Sequence, residues 1–239
     1  MRRTLAFAVP ALLLFAAPSV ARADDGISLV KFGVGPMVAV GGNFLGKPGD
    51  KSYPGTVDVY PGFSGTEFGF GGYVEGRILG LVGIEVDFLR YSGKASGDIT
   101  INNTAGTLEI TQTATHIPVL AKGVLPLPVV APFIFVGPEF VLVSDNGASV
   151  SGDLGKFVTA NGAHSDNYKY WTFGFGLEIK LPVPDLDIRI PISIRGSYNP
   201  SVSDHVVDRW TITPAPPNFA TNNQFQYMAQ GAVGVGIYF

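Results

Sequence analysis

The 239-residue chain has no cysteine. That excludes a disulfide framework, a thiolate metal centre and a cysteine nucleophile. Charge is scarce, at 15% Asp, Glu, Lys and Arg, and no basic run marks a nucleic-acid surface. Histidine occurs three times, at His116, His164 and His205. Long unbroken apolar runs are missing from the body of the chain. The nearest candidate, 123–143, carries Glu139 as its only charge but contains Pro126, Pro128, Pro132 and Pro138. Each interior proline costs about 3 kcal/mol in a helix, so two strands joined by a proline-rich turn are the better account. Pro138 cannot donate to a ladder, so a bulge is expected there. What is plentiful is glycine (31), proline (18) and hydrophobic side chains (46%). Glycine and proline at this level argue against a helical protein, yet stay below the level of low-complexity chains.

Residues 1–23 read as a cleaved signal peptide. Arg2 and Arg3 precede an apolar stretch from Thr4 to Ala17, and Ala21-Arg22-Ala23 supplies a small-x-small cleavage pattern. The apolar stretch is short for a spanning helix, which needs about 20 residues. Asp24 is then the expected mature N-terminus, and 24–239 forms one domain. Removing Arg2, Arg3 and Arg22 from the 16 basic residues leaves a net charge of about −6 against 19 acidic ones.

Period-2 alternation recurs eight times in the mature chain. In Tyr170 to Leu181, one face carries Trp171, Phe173, Phe175, Leu177, Ile179 and Leu181. The other carries Tyr170, Thr172, Gly174, Gly176, Glu178 and Lys180. The remaining strands fall at about 28–41, 66–78, 82–92, 108–122, 132–143, 186–198 and 225–239. A soluble sandwich also alternates. Here, however, the apolar face is aromatic and β-branched, and the polar face is rich in glycine, as a narrow barrel interior requires. Connections alternate too. Short links near 79–81, 124–130 and 183–184 interleave with long polar links at about 42–65, 93–107, 144–168 and 199–223. The expected fold is all-β: an eight-stranded antiparallel up-and-down transmembrane barrel with short periplasmic turns and four long extracellular loops.

The inner face holds Lys31, Glu75, Arg77, Glu85, Asp87, Lys122, Glu139, Glu178, Lys180, Asp187, Arg189 and Arg195. Eight strands leave a lumen that side chains fill, and charges inside must be neutralised. A turn at Val183-Pro184 predicts Lys180 opposite Asp187 and Glu178 opposite Arg189. A turn centred on Gly80 predicts Glu75 opposite Glu85, which needs a cation from Arg195, Lys122 or Lys31. Above these charges the inner face is milder, with Gly33, Gly35, Met37, Ala39, Gln226, Met228 and Gln230, and such a face leaves room for a shallow pocket open outward. Tyr168, Tyr170, Trp171 and Tyr198 are expected to form an aromatic girdle at one membrane boundary, with Tyr238 and Phe239 at the other.

Catalytic signals are thin. Parity places His116 in the lumen, where a hydrogen-bonded structural role is the plainer account. His164-Ser165-Asp166 and Asp204-His205 have suitable residue types in long loops, but sequence neighbours seldom build a triad. Asp145, Asp153 and Asp166 lack calcium-loop spacing. No metal and no cofactor are expected.

Four stretches carry a resemblance to a known family. Gly231-Ala-Val-Gly-Val-Gly-Ile-Tyr-Phe239 is similar to a C-terminal assembly signal, with Val233, Val235, Ile237 and Phe239 at alternate positions. His116-Ile-Pro-Val-Leu-Ala-Lys122, Pro132-Phe-Ile-Phe-Val-Gly-Pro138 and Gly83-Ile-Glu-Val-Asp-Phe88 look like the family's fourth, fifth and third strands. The chain resembles the small eight-stranded outer-membrane β-barrels of the opacity and attachment-invasion type. The resemblance implies residence in the outer membrane of a Gram-negative envelope and insertion by the barrel-assembly machinery. It also implies contact with lipid and lipopolysaccharide, a monomer, and an extracellular ligand that the sequence does not specify. No periplasmic peptidoglycan-binding domain is expected after Phe239. One activity does not follow from the fold. A non-enzymatic barrel with a charge-closed lumen and functional loops is the leading expectation. A conduit for small apolar solutes and a lipid-modifying enzyme are the alternatives.

Overall fold

The computed structural model describes residues 29–45, 57–59, 62–101, 103–157, 159–164, 167–201, 211–214, 217–222 and 224–239. The signal-peptide segment 1–23 lies outside them, as do Ser165, Asp166, Asp204 and His205. Eight long antiparallel strands account for most of the rest: β1 (Val30–Leu45), β2 (Phe63–Ile78), β3 (Val82–Ile101), β4 (Thr104–Val124), β5 (Val130–Ser151), β6 (Tyr168–Val183), β7 (Leu186–Tyr198) and β8 (Tyr227–Gly234, resuming as Gly236–Tyr238). No helix among the described residues is long and apolar enough to cross a membrane.

The sheet closes on itself. From partner to partner, Val30 leads through Ile78, Val82, Gly123, Ile134, Phe175, Ile194 and Gly231 back to β1 at Val40. The circuit returns ten residues further along β1, and such a stagger tilts strands roughly 35–45° from the barrel axis. Closure matters because hydrocarbon offers backbone groups no alternative partners. β8 is interrupted at Val235, where the register sets two prolines against it: Pro36 of β1 faces Val235 and Pro191 of β7 faces Gly234. Neither can donate a hydrogen bond, yet the Val235 amide still donates to the Pro36 carbonyl at 3.1 Å.

Parity sorts side chains as the alternation requires. Trp171, Phe173 and Phe175 point outward and are 56–60% exposed, forming part of an apolar belt around the barrel. Glu178, Arg189 and the other inner-face charges point to the axis.

Three expectations are corrected. No bulge occurs at Pro138, because Pro118↔Glu139 and Ala121↔Val136 keep one register through it. The shift falls where Thr113 faces Asp145 and Ala114 faces Val143. Ser144 is the extra residue, and its hydroxyl donates to the Thr113 carbonyl at 2.9 Å. Second, 93–107 is not a loop. β3 and β4 pair in one register up to Ile101↔Thr104, and Asn103, just before β4, takes φ 60°, a conformation asparagine tolerates. Third, much of 144–168 is also ordered, as the upper part of β5, a 3-10 turn (Leu154–Lys156) and a short strand (Thr159–His164). β3, β4 and β5 have 20, 21 and 22 residues, whereas about 9–11 suffice to cross a bilayer. Their upper halves therefore stand beyond the membrane.

Gly35 lies at the seam where β1 meets β8. A Cβ there would come within 1.8 Å of the Val235 carbonyl oxygen, a backbone atom that cannot turn aside. The closed wild type should migrate faster unheated than boiled on a denaturing gel of the outer-membrane fraction. Gly35→Val should shift the unheated sample to the unfolded position, and an unchanged folded band would show that the seam tolerates a side chain.

Candidate functional site: the charged lumen

Ten charged side chains in the periplasmic half of the barrel form one continuous chain of ion pairs in which sign alternates. It begins at Lys31 Nζ on Asp187 (2.9 Å) and passes to Arg189 (2.6 Å), Glu178 (2.7 Å), Arg77 (2.7 Å) and Glu75 (2.7 Å). It continues through Lys122 (3.2 Å), Glu85 (2.6 Å) and Arg195 (3.4 Å), and ends on Asp87, which accepts from Arg195 Nη1. Five cations meet five anions, so the formal charge of the chain is zero. Burial is graded. The Lys31 side chain is 31% exposed at the mouth, whereas those of Glu75 and Lys122 are at 0%.

Geometry reinforces sign. Arg77 is bidentate on Glu178, donating from Nη1 at 3.1 Å and Nη2 at 2.7 Å. Arg189 grips Asp187 through Nε (2.8 Å) and Nη2 (2.6 Å). Forked pairs of this kind are stronger and more directional than single contacts. Aromatic rings complete the setting: Lys122 Nζ sits 4.3 Å from the Phe133 ring centre, and the Arg189 guanidinium 4.4 Å from that of Tyr238. The Tyr238 hydroxyl donates to Glu75 at 2.7 Å. Phe133 lies on β5 and Tyr238 on β8, so every strand contributes to the ion chain or its immediate shell.

Local sequence explains the arrangement. Ile78 pairs with Val82 across the turn containing Leu79 (φ 53°) and Gly80 (φ 70°), and this register sets Glu75 opposite Glu85. The cation comes from β4, where Lys122 lies beside Gly83 and reaches both carboxylates. Arg195 adds a second contact to Glu85, while Lys31 goes to Asp187 instead. Arg77, two residues along the same strand, also donates to Glu75 at 2.8 Å. That third cation was not among those the turn register had singled out, although its parity and spacing were readable.

The β6–β7 register differs from the expectation. Val183 pairs with Leu186, so the turn is Pro184-Asp185, with Asp185 at φ 61°. Moving the turn by one residue moves the partners by two. Lys180 lies opposite Arg189 and Glu178 opposite Pro191. Arg189 still reaches Glu178 on the diagonal. Lys180 does not meet Asp187; it is exposed, with no ion-pair partner among the described residues.

Glu139 lies apart from the ion chain. Its carboxylate is bound by His116 Nδ1 and accepts from the hydroxyls of Thr172 and, at 3.1 Å, Ser197. His116 is flanked by Tyr91 and Tyr170, ring centres 4.4 and 6.4 Å away. Higher still, Phe63, Ile99, Leu108, Ile110, Val141 and Leu154 form a buried apolar cluster inside the barrel. At the level where a shallow outward pocket is expected, Met37, Ala39, Met228 and Gln230 are buried. The signal for the apolar cluster was legible, since Leu108 and Ile110 alternate within a threonine-rich run.

The aromatic girdle is corrected in part. Tyr168, Tyr170 and Tyr238 are buried, at 6%, 1% and 4% exposure. They point inward because they share parity with Thr172 and Gly236. Trp171 and Phe239 do face outward, and Tyr198 stacks on Tyr227 with ring centres 5.3 Å apart. Val233, Val235, Ile237 and Phe239 all lie on the outer face of β8. The described residues hold no cluster of three His, Asp or Glu that could bind a metal.

A closed, grease-outside barrel with a neutralised ionic interior defines an integral membrane β-barrel protein. The sequence matches the family described as outer membrane protein beta-barrel domain over residues 7–226, and the chain belongs to that family of bacterial outer-membrane proteins. Among solved structures it is similar to the outer membrane protein OprG from Pseudomonas aeruginosa (11% identity, 87% of this chain and 95% of that one covered, TM-score 0.40). It is similar also to Ail, the attachment invasion locus protein of Yersinia pestis, solved with the heparin analogue sucrose octasulfate (11%, 88% and 97%, 0.31). A third likeness is to the translocator domain of the autotransporter NalP from Neisseria meningitidis (13%, 90% and 90%, 0.32). A search of curated proteins finds no match.

Removing one partner from a buried ion pair costs about 3–5 kcal/mol. Lys122→Met leaves Glu75 and Glu85 facing each other and should lower unfolding free energy by that order in a urea titration. Adding Glu85→Gln should recover part of the loss, whereas Lys180→Gln should stay within about 0.5 kcal/mol. Equal losses for Lys122→Met and Lys180→Gln would contradict the ion chain.

Proposed function

We propose that this protein is a non-enzymatic outer-membrane barrel whose lumen is closed. On this reading it serves envelope structure or surface interaction through the strands and loops that project outward. The observation that carries the reading is the filling of the lumen at successive levels. Ten neutralising charges are followed by the Glu139 cluster and then by apolar side chains. A conducting pore needs water along its axis, and the burial of Glu75, Lys122, His116 and Ile110 supports its exclusion at those levels.

The contact surface is assigned to the upper halves of β3, β4 and β5, which stand beyond the apolar belt and present a rigid platform. Function carried by such projections on a stiff scaffold is the general pattern. The outward alternation of Val233, Val235, Ile237 and Phe239 supports recognition of the last strand by the assembly machinery. The composition of residues 1–23 supports export with cleavage before Asp24. The non-enzymatic reading is supported at His116, whose Nδ1 is committed to Glu139. The nearby hydroxyls of Thr172 and Ser197 donate to that same carboxylate and not to the imidazole, so no nucleophile–base pair forms there.

Purified protein in a planar bilayer should show no stable, large, ohmic openings. Their appearance in the wild type would overturn the closed lumen and favour the conduit. Deleting 96–109, which keeps Ala95 opposite Ile110, and joining the shortened strands with Asn-Gly should abolish surface binding while preserving heat-modifiable migration. Retained adhesion of the deletion strain to host or matrix surfaces would move the contact elsewhere.

A further inference from the structure

At the periplasmic mouth the barrel end opens into a cavity of about 300 Å³. Lys31, Arg77, Lys180 and Arg189 line it, with Glu178 as the acidic member. Four of these five belong to the ion chain, which is already neutral. Lys180 does not. Its ammonium is the one cation of the cup that the ion chain leaves uncompensated, since Lys31, Arg77 and Arg189 are each held by carboxylates. The remaining wall is apolar, supplied by Leu79, Leu127 and the flanking Pro126 and Pro128.

A second depression, of about 880 Å³, lies on the lipid side of the same wall. Leu81, Ile134, Phe175, Leu177, Ile192 and Ile194 line it. Gly123 helps to hollow it, since a Cβ there would have Ile134 Cγ1, at 3.8 Å, as its nearest neighbour. Val124, the last residue of β4, borders both spaces; the next residue, Leu125, lines the groove, and the one after, Pro126, lines the cup. An apolar trough and a cationic cup therefore meet across the single turn at the short-turn end of the barrel.

We propose that the two spaces together bind one anionic glycerophospholipid of the periplasmic leaflet. An acyl chain lies in the groove, and the headgroup phosphodiester bends over the 125–129 turn to the Lys180 ammonium. The single negative charge of a phosphodiester matches the single uncompensated positive charge. A compact ammonium suits a phosphate held as a point charge. Continuity of the cup with an apolar trough favours a lipid over free phosphate, because a free anion would leave the trough without a role. The inference rests on the membrane placement of the barrel and not on the closed lumen or the projecting strands.

Native mass spectrometry of the refolded full-length chain in detergent tests it. The probes are phosphatidylglycerol, diacylglycerol with the same chains, and inorganic phosphate. Wild-type protein should retain a one-to-one phosphatidylglycerol adduct, no diacylglycerol adduct, and little loss of lipid when millimolar phosphate is added. Lys180→Gln should weaken the adduct about tenfold, the scale of one charge-assisted contact, while heat-modifiable migration is unchanged. Lys180→Arg should restore it, and Gly123→Phe, which fills the groove, should weaken it as well. An adduct indifferent to Lys180→Gln, or an equal diacylglycerol adduct, would overturn the proposal. Full displacement by phosphate with no effect of Gly123→Phe would reduce the site to one for a free anion and overturn the lipid assignment. Conductance of the wild type bears only on the closed lumen, so the two readings fail separately.

Discussion

Two carboxylates facing each other across a tight turn are the constraint around which this barrel is organised. The pairing of Ile78 with Val82 leaves Glu75 no position other than opposite Glu85. Both are buried, and repulsion between like charges grows as water is excluded. Lys122 answers from the next strand and Arg77 from the same one. Each of those cations draws in a further anion or sits beside one already engaged, and the alternation extends from Asp87 to the mouth at Lys31. The result couples distant strands. A change in the register of any one of them would break a forked pair and strand a buried charge.

The closing seam uses the same chemistry. Tyr238, next to last in the chain, lies under Arg189 and donates to Glu75, so β8 is fastened to the interior as well as to β1 and β7. Backbone pairing at the seam is interrupted by Pro36 and Pro191, and the side-chain attachment lies close to that weakness. The outer residues of β8 alternate toward lipid and the inner ones toward the ion chain. The terminal strand thus carries an apolar outer face and an ionic inner anchor.

The upper barrel follows a different rule. Beyond Glu139 and the buried Glu67 the interior turns to Phe63, Ile99, Leu108, Ile110 and Leu154. Such a cluster resembles the apolar core of a small soluble domain, and β3, β4 and β5 supply much of it after they leave the apolar belt. In water an apolar interior stabilises the projecting strands, at about 25 cal/mol per Å² buried. Within the membrane, where the outside is already apolar, specificity must come from polar contacts between strands. The two halves of the interior are lined by opposite chemistries, as suits a wall whose two halves face opposite solvents.

Much of this was written in the amino-acid order. Period-2 alternation assigned Trp171, Phe173 and Phe175 to one face and Glu178 and Arg189 to the other, because a strand reverses its side chains at every residue. The glycine turn at 79–80 even fixed Glu75 against Glu85. Parity also placed Tyr170 with Thr172, on the inner face; reading it as a girdle residue set aromatic composition above that geometry, and burial decides for parity. The Lys180–Asp187 pairing failed because sequence does not say which residue of Val183-Pro184-Asp185 takes the left-handed conformation. The extension of β3 and β4 through a threonine- and glycine-rich stretch was equally hidden, since polar residues are strand-compatible only when a neighbouring strand stands ready to pair. Which strand lies beside which face is local and legible. Which cation crosses the lumen to which carboxylate depends on the stagger of ten residues around the closed ring, and only the assembled barrel sets that distance.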